Sequence, residues 1–416
     1  MEPRTAAPSP DPTRLAPWAA ICLIVAIGVN VRAIFGATPP LVPLISDDLG
    51  ISATTASLLT AMPVLAMGLC APFGHALSRR YGGDAAMLVL FVLLGLAELS
   101  RPLIDSPVPL VITAGLIGGA LGALSTLVPA FIAHHLPRLR GLATGIYSTS
   151  MALGVGLAAG TAQPLTDALG DWRLTLSIWG VTALLLVAAL LVARARGARL
   201  PAHAGPSVRV RLPLREGRAW FLTAISSVAM VLGFGVIAWL PSLFIEAGIA
   251  PATAAAYLVV FQTIQIVSIL SLAPLTDRID GRRGVFATVM LTSTAGLVLL
   301  VVDPSGMAIP GALLAGFGIG GISSLALVKV HDEARDAADA TRLSAMAMLF
   351  SFTAGALSPL LVGALQDWSG SLRPGFTVML GVSVASLLLL VRMRPAHPAR
   401  DTVHPDPERA VPTPLP

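Results

Sequence analysis

Charge is scarce in this sequence. Asp, Glu, Lys and Arg make up 12% of its 416 residues, against about 25% in soluble domains. Hydrophobic residues reach 55%, and the mean hydropathy is +0.82. That balance excludes an ordinary soluble fold and points to a polytopic membrane protein. Cysteine is nearly missing. Cys22 and Cys70 each lie inside an apolar run, so neither a disulfide framework nor a thiolate metal cluster is available. Histidine is expected only in loops or tails on one side of the membrane, at His75, His134, His135, His203, His331, His397 and His404. No nucleophile, base or metal set therefore gathers at membrane depth. This argues against a membrane enzyme, and no cofactor is called for. No polar segment is long enough for a soluble signalling domain, which weighs against a non-transporting membrane sensor. A signal peptide is lacking as well: the Pro-rich "MEPRTAAPSPDPTRLAP" reads as a disordered tail, like "HPARDTVHPDPERAVPTPLP" at the other end.

The apolar runs are what the sequence has in abundance. A spanning helix needs about 20 mainly apolar residues. Twelve runs qualify: 18–44, 54–77, 84–102, 107–133, 141–165, 174–194, 219–245, 252–275, 284–302, 307–329, 342–365 and 375–392. The fold class predicted is an all-α membrane protein with twelve transmembrane helices. With the N-terminus placed in the cytoplasm, 23 of the 27 Lys and Arg fall in cytoplasmic segments. Only Arg101, Arg173 and Arg373 fall outside. That asymmetry is the positive-inside signal. It puts both termini in the cytoplasm and the chain in the plasma membrane. It also excludes a nucleic-acid partner, because the basic charge is spread over topological anchors.

The chain repeats itself at an offset near 200. "GISATTASLL" (50–59) echoes "GIAPATAAAY" (248–257), "APFGHALSRRYGG" (71–83) echoes "APLTDRIDGRRG" (273–284), and "ALGDWR" (168–173) echoes "ALQDWS" (364–369). The predicted organisation follows. Residues 1–17 are a disordered cytoplasmic tail and 18–194 a six-helix half. Residues 195–218 are an Arg-rich cytoplasmic linker, 219–394 a second six-helix half, and 395–416 a disordered cytoplasmic tail. Parallel six-plus-six repeats are the arrangement of the major facilitator superfamily, with a solute site at mid-membrane between pseudo-symmetric halves.

The chain resembles that superfamily over nearly all its length. The loop between the second and third helices of such proteins reads G-x-L-x-D-R-x-G-R. "HALSRRYGG" retains Leu77, Arg80 and Gly82, with Arg79 in the Asp place, and "LTDRIDGRR" keeps Leu275, Asp277, Arg278 and Gly281. The resemblance implies a gating role for Arg79, Arg80, Asp277 and Arg278; simple topological anchoring is the alternative. "NVRAIFGATPPLVPLI" (30–45) is similar to the opening of the cyanate and nitroimidazole transporter family, with Ala33 where proline is expected. The stretch from Arg140 to Gly145, Asp171-Trp172 and Asp367-Trp368 also match that family's pattern. The resemblance implies a small, anionic or polar planar solute as partner.

One basic residue is left over. Arg32 lies 14 residues beyond Trp18, about 21 Å at 1.5 Å per residue, a little past the middle of a roughly 30 Å hydrocarbon core. A charge there costs about 2.5–3.5 kcal/mol on insertion scales. Three roles compete: snorkelling to the outer surface, a structural ion pair, or a hold on a solute anion. Glu98 is the clear acidic candidate for pairing, although it can also serve as an interfacial acid beside Arg101. The matching stretch of the second half, "VLGFGV" (231–236), has no charge, so fold symmetry does not require one. Arg32 is therefore expected to be the central binding residue of an alternating-access transporter. Asn30, about 200° away on the helix, is expected to meet a neighbouring helix, and is kept among the binding candidates. The others are Tyr147, Tyr257, Gln262 and Gln265, with Trp239 and Phe350 as aromatic walls. Core packing is the alternative for each. Pro39, Pro40 and Pro43 are expected to loosen the outer end of the first helix. A drug or sugar-like efflux carrier is the alternative function, and it leaves Arg32 unexplained. Protons stay open as a coupling ion, and a monomer is expected in the bilayer.

Overall fold

In the computed structural model, the described residues are 15–197, 199, 212–276 and 282–392, apart from a few side chains within them. They are helical almost throughout. The first half contains α1 (Pro17–Ala37), α2 (Val42–Leu49), α3 (Ala53–Tyr81), α4 (Gly83–Leu99), α5 (Pro107–His135), α6 (Arg140–Leu169) and α7 (Trp172–Ala195). The second contains α8 (Gly217–Glu246), α9 (Pro251–Thr276), α10 (Arg282–Val302), α11 (Ala308–Asp332), α12 (Ala337–Ser369), α13 (Arg373–Ser386) and α14 (Leu389–Arg392). Among the described residues, ten spans are long and apolar enough to cross a membrane, with α1 and α2 forming one of them. The 17-residue α4 and the α13–α14 pair complete the twelve predicted. Much of the linker and both tails lie outside the described residues.

The predicted ends shift for physical reasons. The first run does not stop at residue 44. The helix yields to a 3-10 turn at Pro39–Leu41, where two prolines lack amide donors, and then resumes to Leu49. His75, His134, His135 and His331 lie inside helices rather than in loops: His75 falls within the 54–77 run itself, and α5 and α11 run beyond their apolar stretches to take in the other three. Lys329 Nζ pairs with Glu333 Oε1 at 2.7 Å at the same end of α11.

Local chemistry marks the boundaries. Ser52 caps α3 by accepting from the Thr55 amide, and Asp336 caps α12 by accepting from Asp339. The fifth and eleventh spans, α6 and α12, both end on a left-handed glycine, Gly170 (φ 71°) and Gly370 (φ 74°). The repeat is visible here as structure. We call the end bearing the chain termini the terminal end and the opposite one the far end.

At the far end each half closes on itself with an acid 198 residues from its counterpart. Asp48 ends the first span. It accepts from Trp172 Nε1 at 3.2 Å and pairs with Arg173 at 2.8 Å. Glu246 ends the seventh. It accepts from Ser371 Oγ at 2.6 Å and from the Leu372 amide at 2.9 Å. Within the first half, α1 packs against α6 so closely that a Cβ on Gly36 or Gly154 would collide with the opposing backbone, at Val155 and Val29 respectively. Gly118 and Gly122 let α5 approach α3 in the same way. Between the halves, α3 packs on α12 and α6 on α9. The contacts run from the far end, where Gly363 meets Ala53, to mid-span, where Gly68 meets Phe352.

Candidate solute-binding site

Arg32 lies on α1 at mid-span and is half-buried. Its guanidinium carbon sits 5.4 Å from the centroid of the Phe35 ring, one helical turn away. The Tyr147 side chain of α6 lies within its electrostatic range. No carboxylate pairs with Arg32 among the described residues. Glu98 is not its counter-ion. That side chain is buried at the far end of α4, and its charged neighbour is Arg101. The structural ion pair considered from sequence is therefore not made.

An aromatic chain crosses from Arg32 into the other half. The Phe35 and Phe234 rings stand 5.6 Å apart at 52°, and Phe234 and Phe352 6.2 Å apart at 44°. A narrow, almost wholly apolar cleft lies beside it, lined in part by Phe35, Pro39, Thr60, Pro63 and Phe234. Its walls come from α1, α3 and α8, so it spans the interface between halves. Sequence reasoning missed Phe35, Phe234 and Phe352. A signal existed for Phe234, which stands 202 residues after Arg32, at the offset of one repeat match.

The remaining candidates scatter. Asn30 is buried and committed to helix packing: its Nδ2 donates to Ala26 O at 2.8 Å, and its Oδ1 accepts from Thr182 of α7 at 2.8 Å. Trp239 is not an open aromatic wall. It is 3% exposed and donates Nε1 to Pro359 O at 3.0 Å, which locks α8 to α12. Phe350 stacks on Trp220 at 4.9 Å near the terminal end, away from mid-span. Tyr257 sits edge-to-face with Phe244 at 5.5 Å near the far end.

The stretch of α9 that carries Gln262 and Gln265 packs against α11. Phe261 is fully buried there, and Ser268 Oγ donates to Phe317 O at 2.6 Å. Gln265 is half-buried, with its backbone against Gly320 of α11. Gln262 differs. It is 5% exposed, and its Oε1 has no hydrogen-bond partner among the described residues. A buried acceptor left alone costs about 1–3 kcal/mol. Arg79 and Arg80 are exposed at the end of α3, where Arg80 lies over the Tyr81 ring at 5.3 Å. Asp277 and Arg278 lie outside the described residues.

The profile of the Major Facilitator Superfamily matches residues 22–338 and 245–415. The chain belongs to this superfamily. It is a multi-pass membrane transporter. The cyanate transport protein CynX of Escherichia coli (strain K12) is 26% identical over 375 residues, covering 90% of this chain and 97% of that protein. The 2-nitroimidazole transporter of the same organism is 26% identical over 370 residues, covering 88% and 92%. Among solved structures, that of the nucleoside transporter NupG aligns with a TM-score of 0.75 at 11% identity, covering 90% of this chain and 99% of that one. That likeness concerns the fold alone.

Proposed function

We propose that this transporter moves a small anionic or polar planar organic solute across the plasma membrane by alternating access, and that Arg32 holds the solute's anionic end. The observation that carries this reading is a mid-span guanidinium with no carboxylate partner among the described residues. An unpaired charge at that depth is expensive and marks a functional site. Arginine stays protonated at any working pH and offers parallel donors that fit a planar carboxylate, nitro or cyanate-like group. Tyr147 adds a phenol on the adjacent helix, and Phe35 and Phe234 add apolar faces for a flat solute. Gln262 is proposed as a further polar contact, because its free acceptor suits a solute donor or a water. Similarity to relatives named for cyanate and for 2-nitroimidazole supports the same class.

The arginine distribution supports placing both termini in the cytoplasm. On that orientation, Arg79 and Arg80 stand at the cytoplasmic gate, together with Asp277 and Arg278 of the second copy. A thermal-shift screen of the purified protein against cyanate, nitrate, small carboxylates and nitroimidazoles tests the reading. At least one of these classes is expected to stabilise the wild-type protein and to leave Arg32→Ala unmoved. Full ligand-induced stabilisation of Arg32→Ala would sink the proposal.

A further inference from the structure

The Asp-Trp pair of each half is a repeated motif that the binding site does not use. The two copies have diverged. In the first half, Asp171 follows the glycine that ends α6 and caps its own next helix, accepting from the Arg173 amide at 2.8 Å. In the second half, α12 continues through Asp367, and the carboxylate reaches across to the other half. There Asp367 Oδ1 accepts from the Ala53 amide at 2.8 Å. Its Oδ2 accepts from the Thr54 amide at 2.9 Å and from Thr54 Oγ1 at 2.6 Å.

We propose that Asp367 is a latch that holds the far end of the two halves together and must release in each transport cycle. Three observations converge on it. First, α3 already has its own cap, because Ser52 Oγ serves the Thr55 amide. The two amides left open at the helix start are those that Asp367 takes, and a carboxylate at the positive end of a helix is favoured electrostatically. Second, Gly363, one turn before Asp367 on the same face, lets the backbones of α12 and α3 touch. A Cβ there would press on Ala53 O and collide with Ser57 Oγ. The carboxylate therefore closes a seam shaped for close approach. Third, Asp367 is solvent-exposed, so opening hands its partners to water rather than stranding buried polar groups. A clasp of exposed, charge-assisted bonds is reversible; a buried one is not easily so.

The contact itself rests on the fold alone. Its release in each cycle rests on the alternating access proposed above, and neither depends on Arg32. The test is a distance measurement on the full-length protein in nanodiscs. Cys22→Ser and Cys70→Ala remove the native thiols, and Asp47→Cys with Ala252→Cys place one spin label on the exposed far end of each half. Pulsed electron resonance then reads the far-end separation. Asp367→Ala is expected to raise the long-distance population roughly five- to tenfold, and Asp367→Asn, which keeps the shape, to raise it less. Asp171→Ala, which removes the counterpart cap within one half, should as a control leave the ligand-free distribution unchanged. If monodisperse Asp367→Ala protein keeps the wild-type distribution, Asp367 is a helix cap and the latch is overturned. A change of thermal stability without a change of distance has the same meaning.

Discussion

At the scale of single residues, polar side chains inside the apolar helices fall into two kinds. Asn30 has both ends of its amide occupied by protein partners. Arg32, two positions on, has a ring and a phenol near it but no acid among the described residues. The first kind holds helices together, and the second is the kind we propose for the solute. Asn30→Ala is accordingly expected to destabilise the protein by about 0.5–1.5 kcal/mol, by removing the hydrogen bond that ties α1 to Thr182 of α7. Ligand-induced stabilisation should survive in that variant, and thermal unfolding with and without ligand checks both statements. Arg32 was legible in the sequence by elimination, since topology explained every other basic residue. Its aromatic neighbours were not. When lipid and cavity wall are both apolar, hydropathy does not say which face of a helix looks inward, so Phe350 was chosen where Phe352 is the residue that meets Phe234. Gln262 and Gln265 looked equivalent in sequence, and only packing against α11 separates them.

At the scale of elements, glycine spacing sets how closely helices pass. The glycines of 114–124 and 152–160 recur at the small-xxx-small spacing of close helix packing, and the structure has such packing at Gly118, Gly122 and Gly154. The partner surface on α1 includes Gly36. Gly36→Ala would drive a methyl group into the Val155 backbone, which cannot rotate away. The expected loss is about 1–3 kcal/mol, read as a lowered midpoint in thermal unfolding. Gly156→Ala is the contrast. Its Cβ would meet only a Val259 methyl, at 3.8 Å, and the midpoint should stay near wild type. Helix ends were less legible. The apolar runs report where the hydrocarbon lies, whereas α3, α5 and α11 continue into the polar region for as long as backbone hydrogen bonding allows. The prolines after Arg32 were read as a loosened end, and the 3-10 turn at Pro39–Leu41 is the form this takes.

At the scale of the whole molecule, the duplication explains both what is shared and what is not. The far-end staples at Asp48 and Glu246 are matched features, one per half. They should serve the fold rather than transport. Asp48→Asn and Glu246→Gln are each expected to lower stability by roughly 1 kcal/mol or less, because these partners are partly exposed. Transport in proteoliposomes should persist in both. Unmatched features are the ones expected to carry function: Arg32, opposite an uncharged stretch, and Asp367, whose counterpart turns inward on its own half. The six-plus-six architecture could be read from three short echoes because duplicated helices must keep their turns and caps. The division of labour between the copies could not, since it depends on which half a side chain reaches.

The central claim is that Arg32 holds the solute's anionic end, and equilibrium binding tests it most directly. Titration of the ligand found by screening into wild-type protein, Arg32→Lys and Arg32→Ala should give a graded loss. Arg32→Ala is expected to weaken affinity at least about 30-fold, with Arg32→Lys between, because lysine keeps the charge and loses the paired donors. Wild-type affinity in a folded Arg32→Ala protein would contradict the account.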